Sequence, residues 1–168
     1  AALVAAGLEA PDAILATPRG APLLPPSAVG SVSHKRTIAV ALVARAATPP
    51  AAIGIDVEEI RPLHVDIARR VLTPDELAGL PPEGPARDAA VLLRFSAKEA
   101  IYKALDPWVQ RFVAFEEAIV APTPDGALTA RLALTRGEGP FTVELHDARG
   151  GDAPDLFLIA ARVSPRRP

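Results

Sequence analysis

The chain has 168 residues, with 19 prolines, 11 glycines and neither cysteine nor methionine. That length suits one compact domain or a small two-lobed one, and the missing cysteines exclude disulfides, thiolate-held zinc or iron–sulfur clusters and a thiol nucleophile. A net charge of −2 argues against a polyanion-binding surface, so nucleic acid is not expected as a partner. Alanine supplies 34 residues and aromatics only 4%, so the apolar fraction of 49% reflects small side chains. No uncharged apolar run reaches the ~18 residues of a membrane-spanning helix. The N-terminus lacks the basic segment of a signal peptide. A cytoplasmic protein without a membrane partner is therefore expected. The cations are 15 Arg and only 3 Lys, which singles out each lysine for inspection.

Residues 1–16 read as a short Ala-rich helix broken at Pro11, and 17–30 as a Pro/Gly-rich loop. Ile38–Val43 has the length of a buried strand. In the segment 53–58, Ile53, Ile55 and Val57 alternate with Gly54, Asp56 and Glu58, which predicts a strand. Val65–Leu72 reads as helical, and Thr73-Pro74-Asp75-Glu76 has the form of a capping box. Ala86–Leu105 is the longest helical pattern, expected to stop before Pro107. Four strands follow, at Phe112–Val120, Leu128–Leu134, Phe141–His146 and Leu156–Val163, with turns at Asp125-Gly126, Gly137–Pro140 and Gly150-Gly151. The tail SPRRP reads as frayed. The class is α+β with a mainly antiparallel sheet.

Three local features carry chemistry. On a strand, Asp56 and Glu58 point the same way, ~7 Å apart, and such a pair repels unless a cation or solvent intervenes. It is also what an ordinary solvated strand face looks like. In the long helix, Glu99 falls on the apolar stripe of Leu92, Phe95, Tyr102 and Leu105, where a carboxylate needs a partner; Lys103, four residues on, could supply one. Three carboxylates without cysteine form an all-oxygen set of the kind that suits Mg²⁺, an ion that shares itself with substrate phosphates. Lys98 and Lys103 flank Glu99 and suit phosphate as point charges. Finally, Gly30-Ser31-Val32-Ser33-His34-Lys35-Arg36 gathers hydroxyls, an imidazole and cations where the Pro-rich loop enters the first strand, either as a phosphate grip or as a solvated loop.

The order GSVSHK, GIDVEEI, FSAKEAIYKA resembles the 4′-phosphopantetheinyl transferases, specifically the large pseudo-dimeric class serving nonribosomal peptide, polyketide and siderophore synthetases. The resemblance covers about residues 17–120. It implies two similar α+β lobes with mainly antiparallel sheets and coenzyme A in the cleft between them. The first lobe would be incomplete here, with residues 1–50 its remainder and 51–168 the C-terminal lobe that carries the magnesium site. It implies Asp56, Glu58 and Glu99 as Mg²⁺ ligands. Lys103 would contact the coenzyme A pyrophosphate, with Lys98 bordering the phosphates. Ser33 and His34 would hold the nucleotide end, His34 on the 3′-phosphate, and Arg19 and Pro22 would border the adenine nucleotide. Arg61 falls where a basic residue is common. Position 21, often Lys in relatives, is Ala21. Glu76 matches a glutamate implicated in catalysis, although the capping box explains it equally well. The reaction implied is Mg²⁺-dependent transfer of the phosphopantetheine arm to a serine of an apo acyl- or peptidyl-carrier protein, releasing adenosine 3′,5′-bisphosphate. Glu99, Glu76 or a metal-bound water would be the base, and the enzyme would be a monomer. Arg69, Arg70 and Arg94 are candidates for the carrier-facing surface. A non-catalytic domain binding coenzyme A or carrier protein, or another Mg²⁺-dependent phosphoester hydrolase, would carry some of the same residues.

Overall fold

A computed structural model describes residues 1–148 and 155–166. The expected turn at Gly150-Gly151 lies outside the described residues. In chain order the elements are helix α1 (Ala2–Ala5), strands β1 (Ala28–His34), β2 (Ala39–Arg45) and β3 (Ala52–Glu59), and helices α2 (Ala68–Val71), α3 (Pro74–Ala78) and α4 (Pro85–Val109). A 3-10 turn at Phe115–Glu117 leads to β4 (Ala118–Pro122), β5 (Leu128–Leu132), β6 (Phe141–Asp147) and β7 (Leu156–Pro165). All strand pairs are antiparallel: β1 with β2, β4 with β5, and a three-stranded sheet in the order β3-β7-β6.

The α+β class and the mainly antiparallel pairing agree with the sequence, but several element boundaries do not. The Ala-rich start is helical only over Ala2–Ala5, because Gly7 turns the chain at φ +66° and the Leu8 N–H donates back to Leu3 O. The SVSH segment is strand, not loop, and Lys35 follows directly after it. Its alternation runs against hydropathy, with Ser31 and Ser33 buried and Val32 45% exposed, so no period-2 apolar signal marks it. Helix α4 also runs through Pro107 to Val109. Trp108 and Val109 pack on the core, and that packing carries the helix past the lost hydrogen bond until Gln110 ends it in a left-handed conformation.

The core forms where α4 crosses the inner face of β3 and β7. Ala97, Ala100, Ile101, Ala104 and Leu105 meet Ala118, Val120, Ile159, Ala161 and Val163. Small residues on the helix let it approach the sheet closely, and Gly54 sets the limit. A Cβ at position 54 would lie 1.9 Å from Ala100 O and 2.8 Å from Ala104 N. Backbone atoms cannot give way as a flexible side chain can. Hence the glycine preceding the carboxylate pair is required by packing, and it fixes the height of Asp56 and Glu58 relative to α4.

A second brace is ionic. The Lys98 ammonium donates to Glu76 Oε2 at 2.7 Å, Val71 O at 2.9 Å and Phe115 O at 3.0 Å, with the lysine and glutamate side chains 1% and 3% exposed. Glu76 closes the capping box of α3 with Thr73 and accepts from the Val120 N–H at 2.8 Å. One buried pair thus joins α2, α3, α4, the 3-10 turn and β4. Burial pushes the Lys98 amine below its usual range, while Glu76 pulls the other way. Further along, Arg111 clamps Glu117 and Glu138, and its guanidinium holds both carboxyls down at about 2.

Gly54→Ala is expected to lower folding stability by at least ~3 kcal/mol, read from denaturant unfolding, since two backbone atoms must move. Lys98→Met, which strands the buried Glu76 carboxylate, is expected to cost ~3–5 kcal/mol in the same assay.

Candidate active site

Strand β3 is an edge strand of its sheet, and its free edge faces β1. No backbone ladder joins the two. Serine hydroxyls take its place: the Ile55 N–H donates to Ser31 Oγ at 3.1 Å and the Val57 N–H to Ser33 Oγ at 3.4 Å. Alternate β1 side chains therefore reach β3 in register, and the next one in the series is Lys35, whose ammonium donates to Glu58 Oε1. Ser33 Oγ also donates to Asp56 Oδ1 at 2.9 Å. His34, on the opposite face of β1, is exposed.

Asp56 Oδ1 accepts a second, charge-assisted bond from Lys103 at 2.8 Å, and the same ammonium donates to Ile55 O at 2.9 Å. Lys103 thus reaches across to β3 and does not pair with Glu99 as the i,i+4 spacing predicts. Asp56 Oδ2 is buried and has no hydrogen-bond partner. Glu99 is half-buried at the margin of the apolar stripe. Its carboxyl is held above the usual carboxylate range, first by burial and then by the negative charges of Asp56 and Glu58, with Lys103 and Lys35 opposing. Glu58 is also raised, chiefly by burial, against the pull of Lys35. The three carboxylates thus sense one another, and two ammonium groups keep their repulsion in check.

Beside this cluster opens a cleft of about 550 Å³, lined by Arg19, Pro22, Glu99, Tyr102, Lys103 and Trp108 among others. Arg19 and Pro22, more than 75 residues from Glu99 in sequence, share its wall. A small cavity of about 90 Å³ lies on another side of Glu99, walled by Ile101, Tyr102, Phe112, Val113 and Phe115.

Two of the expected site residues do not present free groups here. The Lys98 ammonium has three acceptors and is buried, so it braces α4 instead of facing a phosphate. Both Glu76 oxygens accept protein hydrogen bonds, which leaves neither placed to take a proton from a substrate. Arg94 is buried too, donating to Ala90 O, and does not face a partner; Arg69 and Arg70 are exposed. Three contacts at the site are not among those expected from the sequence: Ser31 on the Ile55 amide, Lys35 on Glu58, and Asp106, which accepts from Arg19. A register of every second residue, counted from Ser31 through Lys35, was the available signal for the first two.

The donor chemistry suits a hard divalent cation: carboxylate oxygens only, mutually repelling, with a buried Asp56 oxygen that lacks a partner. Among the described residues no three His, Asp or Glu side chains stand close enough together to hold a metal ion as they are placed, so Asp56, Glu58 and Glu99 form an open set. Mg²⁺ keeps several waters and leans on substrate oxygens, so an open set of this kind fits it.

Residues 52–157 match the family model of the 4′-phosphopantetheinyl transferase superfamily. The chain belongs to that superfamily. Residues 1–44 match the model of the 4′-phosphopantetheinyl transferase N-terminal domain. This superfamily member is 43% identical over 136 residues to 4′-phosphopantetheinyl transferase Svp of Streptomyces mobaraensis, covering 79% of this chain and 54% of that protein. Over 141 residues it is 38% identical to 4′-phosphopantetheinyl transferase Npt of Nocardia iowensis, covering 82% and 59%. Enterobactin synthase component D of Escherichia coli K12 is 39% identical over 85 residues, covering 49% and 39%. The chain spans about half the length of these relatives. In fold it is similar to the coenzyme A complex of a Chronobacterium ammoniagenes ACPS, with a TM-score of 0.53 at 20% identity over 70% of this chain and 98% of that one. A holo-(acyl-carrier-protein) synthase from Bacillus anthracis gives a TM-score of 0.53 at 23% identity, covering 68% and 96%.

The raised Glu99 value makes a signed prediction. The folded state binds the Glu99 proton more tightly than the unfolded chain does. Its contribution is therefore present below the unfolded carboxyl value and is lost as pH rises through the folded one. Glu99→Gln removes that titration. The variant is expected to melt above the parent at about pH 7, with the difference shrinking towards about pH 4, in thermal scans across that range.

Proposed function

We propose that this superfamily member transfers the 4′-phosphopantetheine arm of coenzyme A to a serine hydroxyl of an apo acyl- or peptidyl-carrier protein, with Mg²⁺, and releases adenosine 3′,5′-bisphosphate. The observation that carries this reading is that Lys103 bonds Asp56 while the charges of Asp56 and Glu58 raise the Glu99 carboxyl, beside a cleft that Arg19 also lines. The pairing of the two matched family regions with relatives named as transferases supports it.

In this reading residues 1–50 belong to one lobe and 51–168 to the next, and coenzyme A lies in the cleft between them. Asp56, Glu58 and Glu99 would hold the ion, which when bound supplies positive charge to the pyrophosphate. Lys103 stands on the same carboxylate and offers an ammonium to a phosphate oxygen. Ser33 orients Asp56 through its hydroxyl, and exposed His34 offers an imidazole to the 3′-phosphate from the other face of β1. The small cavity beside Glu99 suits the narrow pantetheine arm. The serine oxygen of the carrier attacks the phosphorus on the pantetheine side. The P–O bond to the adenosine-side phosphate breaks and its electrons leave with adenosine 3′,5′-bisphosphate. The serine proton passes to Glu99, the carboxylate of this cluster that lines the cleft. Lys98 and Glu76 enter only as the brace beneath this face. Acidic carrier proteins would meet exposed cations such as Arg69 and Arg70.

The test is mass spectrometry of an apo carrier protein incubated with the chain, coenzyme A and Mg²⁺. A gain of one phosphopantetheine is expected, and Asp56→Ala should slow it at least about a hundredfold without unfolding the protein. Thermal stabilisation by coenzyme A and Mg²⁺ with no mass gain across a panel of carriers would instead mark a binding domain, and the transferase assignment would fail.

A further inference from the structure

The turn that carries Arg19 is built tightly. Thr17 N–H donates to Ala21 O at 2.8 Å, Gly20 N–H to Thr17 O at 2.9 Å, and Ala21 N–H to Thr17 Oγ1 at 3.1 Å. Gly20 sits at φ +84°, a conformation that favours glycine. Ala16 and Pro22 bridge below it. Arg19 is therefore presented at the tip of a small stiff loop on the N-terminal side of the cleft. Its guanidinium reaches across to the last turns of α4, where Nε donates to Asp106 Oδ1 at 2.7 Å and Nη2 to Asp106 Oδ2 at 3.3 Å.

Asp106 is poorly placed for helix stability. A carboxylate near a helix C-terminus meets the negative end of the dipole, where a cation would be favoured. It is also 7% exposed, so it is largely desolvated. The Arg19 pair offsets both costs. A guanidinium has five N–H donors, and Asp106 engages two of them. The others stay with a side chain that lines the same cleft as Lys103 and Glu99.

We propose that Asp106 is a positioning residue for Arg19, holding its guanidinium at the cleft wall so that its remaining donors receive a phosphate of the nucleotide end of coenzyme A. This rests on the transferase reading above. The fork of the carboxylate fixes the plane of the guanidinium, which a lone arginine on a loop would not keep, and a fixed plane is what two-point recognition of a phosphate needs. Asp106 itself carries the wrong charge to touch that phosphate, so its effect reaches the ligand only through Arg19.

The experiment is calorimetric titration of the full chain with adenosine 3′,5′-bisphosphate, together with steady-state transfer from coenzyme A to an apo carrier protein. Asp106→Asn, nearly isosteric, is expected to weaken adenosine 3′,5′-bisphosphate about tenfold and raise the KM for coenzyme A similarly, with kcat within about twofold of the parent. Asp106→Glu, which keeps the charge, should restore most of the affinity. On an Arg19→Ala background, Asp106→Asn should add no further loss. If Asp106→Asn lowers only the melting temperature and binds as the parent does, or binds more tightly, the inference falls. An undiminished further loss on the Arg19→Ala background would also overturn it, because Asp106 would then act independently of Arg19. A parent chain that neither binds the bisphosphate nor transfers removes the transferase reading itself, which separates that failure from this one.

Discussion

Strand β3 and helix α4 approach to backbone contact at Gly54, against Ala100 and Ala104, and the geometry of the site depends on it. With no side chain at position 54, β3 lies on the backbone of α4. Two residues on, Asp56 comes within hydrogen-bond reach of Lys103, and four residues on, Glu58 comes close enough to raise the Glu99 carboxyl. A cluster drawn from a strand and a helix more than 40 residues apart in sequence needs this fixed separation, because the interactions between its charges weaken with distance. The alanines of α4 serve the same end. In an Ala-rich chain it is the regular placing of small residues at one helix face, more than their number, that brings the two elements together.

Around that contact the polar groups divide into two kinds. Buried Lys98, Glu76 and Glu117 and half-buried Arg111 have their hydrogen-bonding capacity largely met, and they tie loops and short helices into one body. Asp56, Glu58 and Glu99 are buried or half-buried with their capacity incompletely met. The first kind stabilises. The second is maintained against its own repulsion by the rigidity that the first provides, as expected where stability is given up locally for function.

Much of this was legible in the sequence. The alternation of Ile53, Ile55 and Val57, the Thr73–Glu76 capping box and the length of α4 follow from local rules, and the three motifs resemble their family in order and residue type. What escaped was tertiary. Whether Lys103 pairs along its helix or across to β3 depends on how near β3 lies, which no helical spacing encodes. Lys98 and Lys103 flank the same glutamate and read alike in sequence, yet one is fully enclosed by α2, α3 and the 3-10 turn while the other opens onto the cleft. Strand β1 was hidden because its buried face is made of hydroxyls, and hydropathy cannot distinguish a serine facing a partner strand from one facing water. Propensity marks Pro107 as a stop, and the packing of Trp108 and Val109 overrides it.

The hydroxyl seam between β1 and β3 makes the union of the two parts modular. The β3-β7-β6 sheet closes its own ladder, and the β1–β2 hairpin closes its own, so detaching one from the other breaks no sheet hydrogen bond. Ser31 and Ser33 would leave with the hairpin, and the Ile55 and Val57 amides would meet solvent. Those two amides therefore belong to a different cooperative unit from their neighbours on the same strand, whose N–H groups point into the sheet. Hydrogen exchange at Ile55 and Val57 would time the opening of the cleft, while exchange at Asp56 would time the unfolding of the sheet.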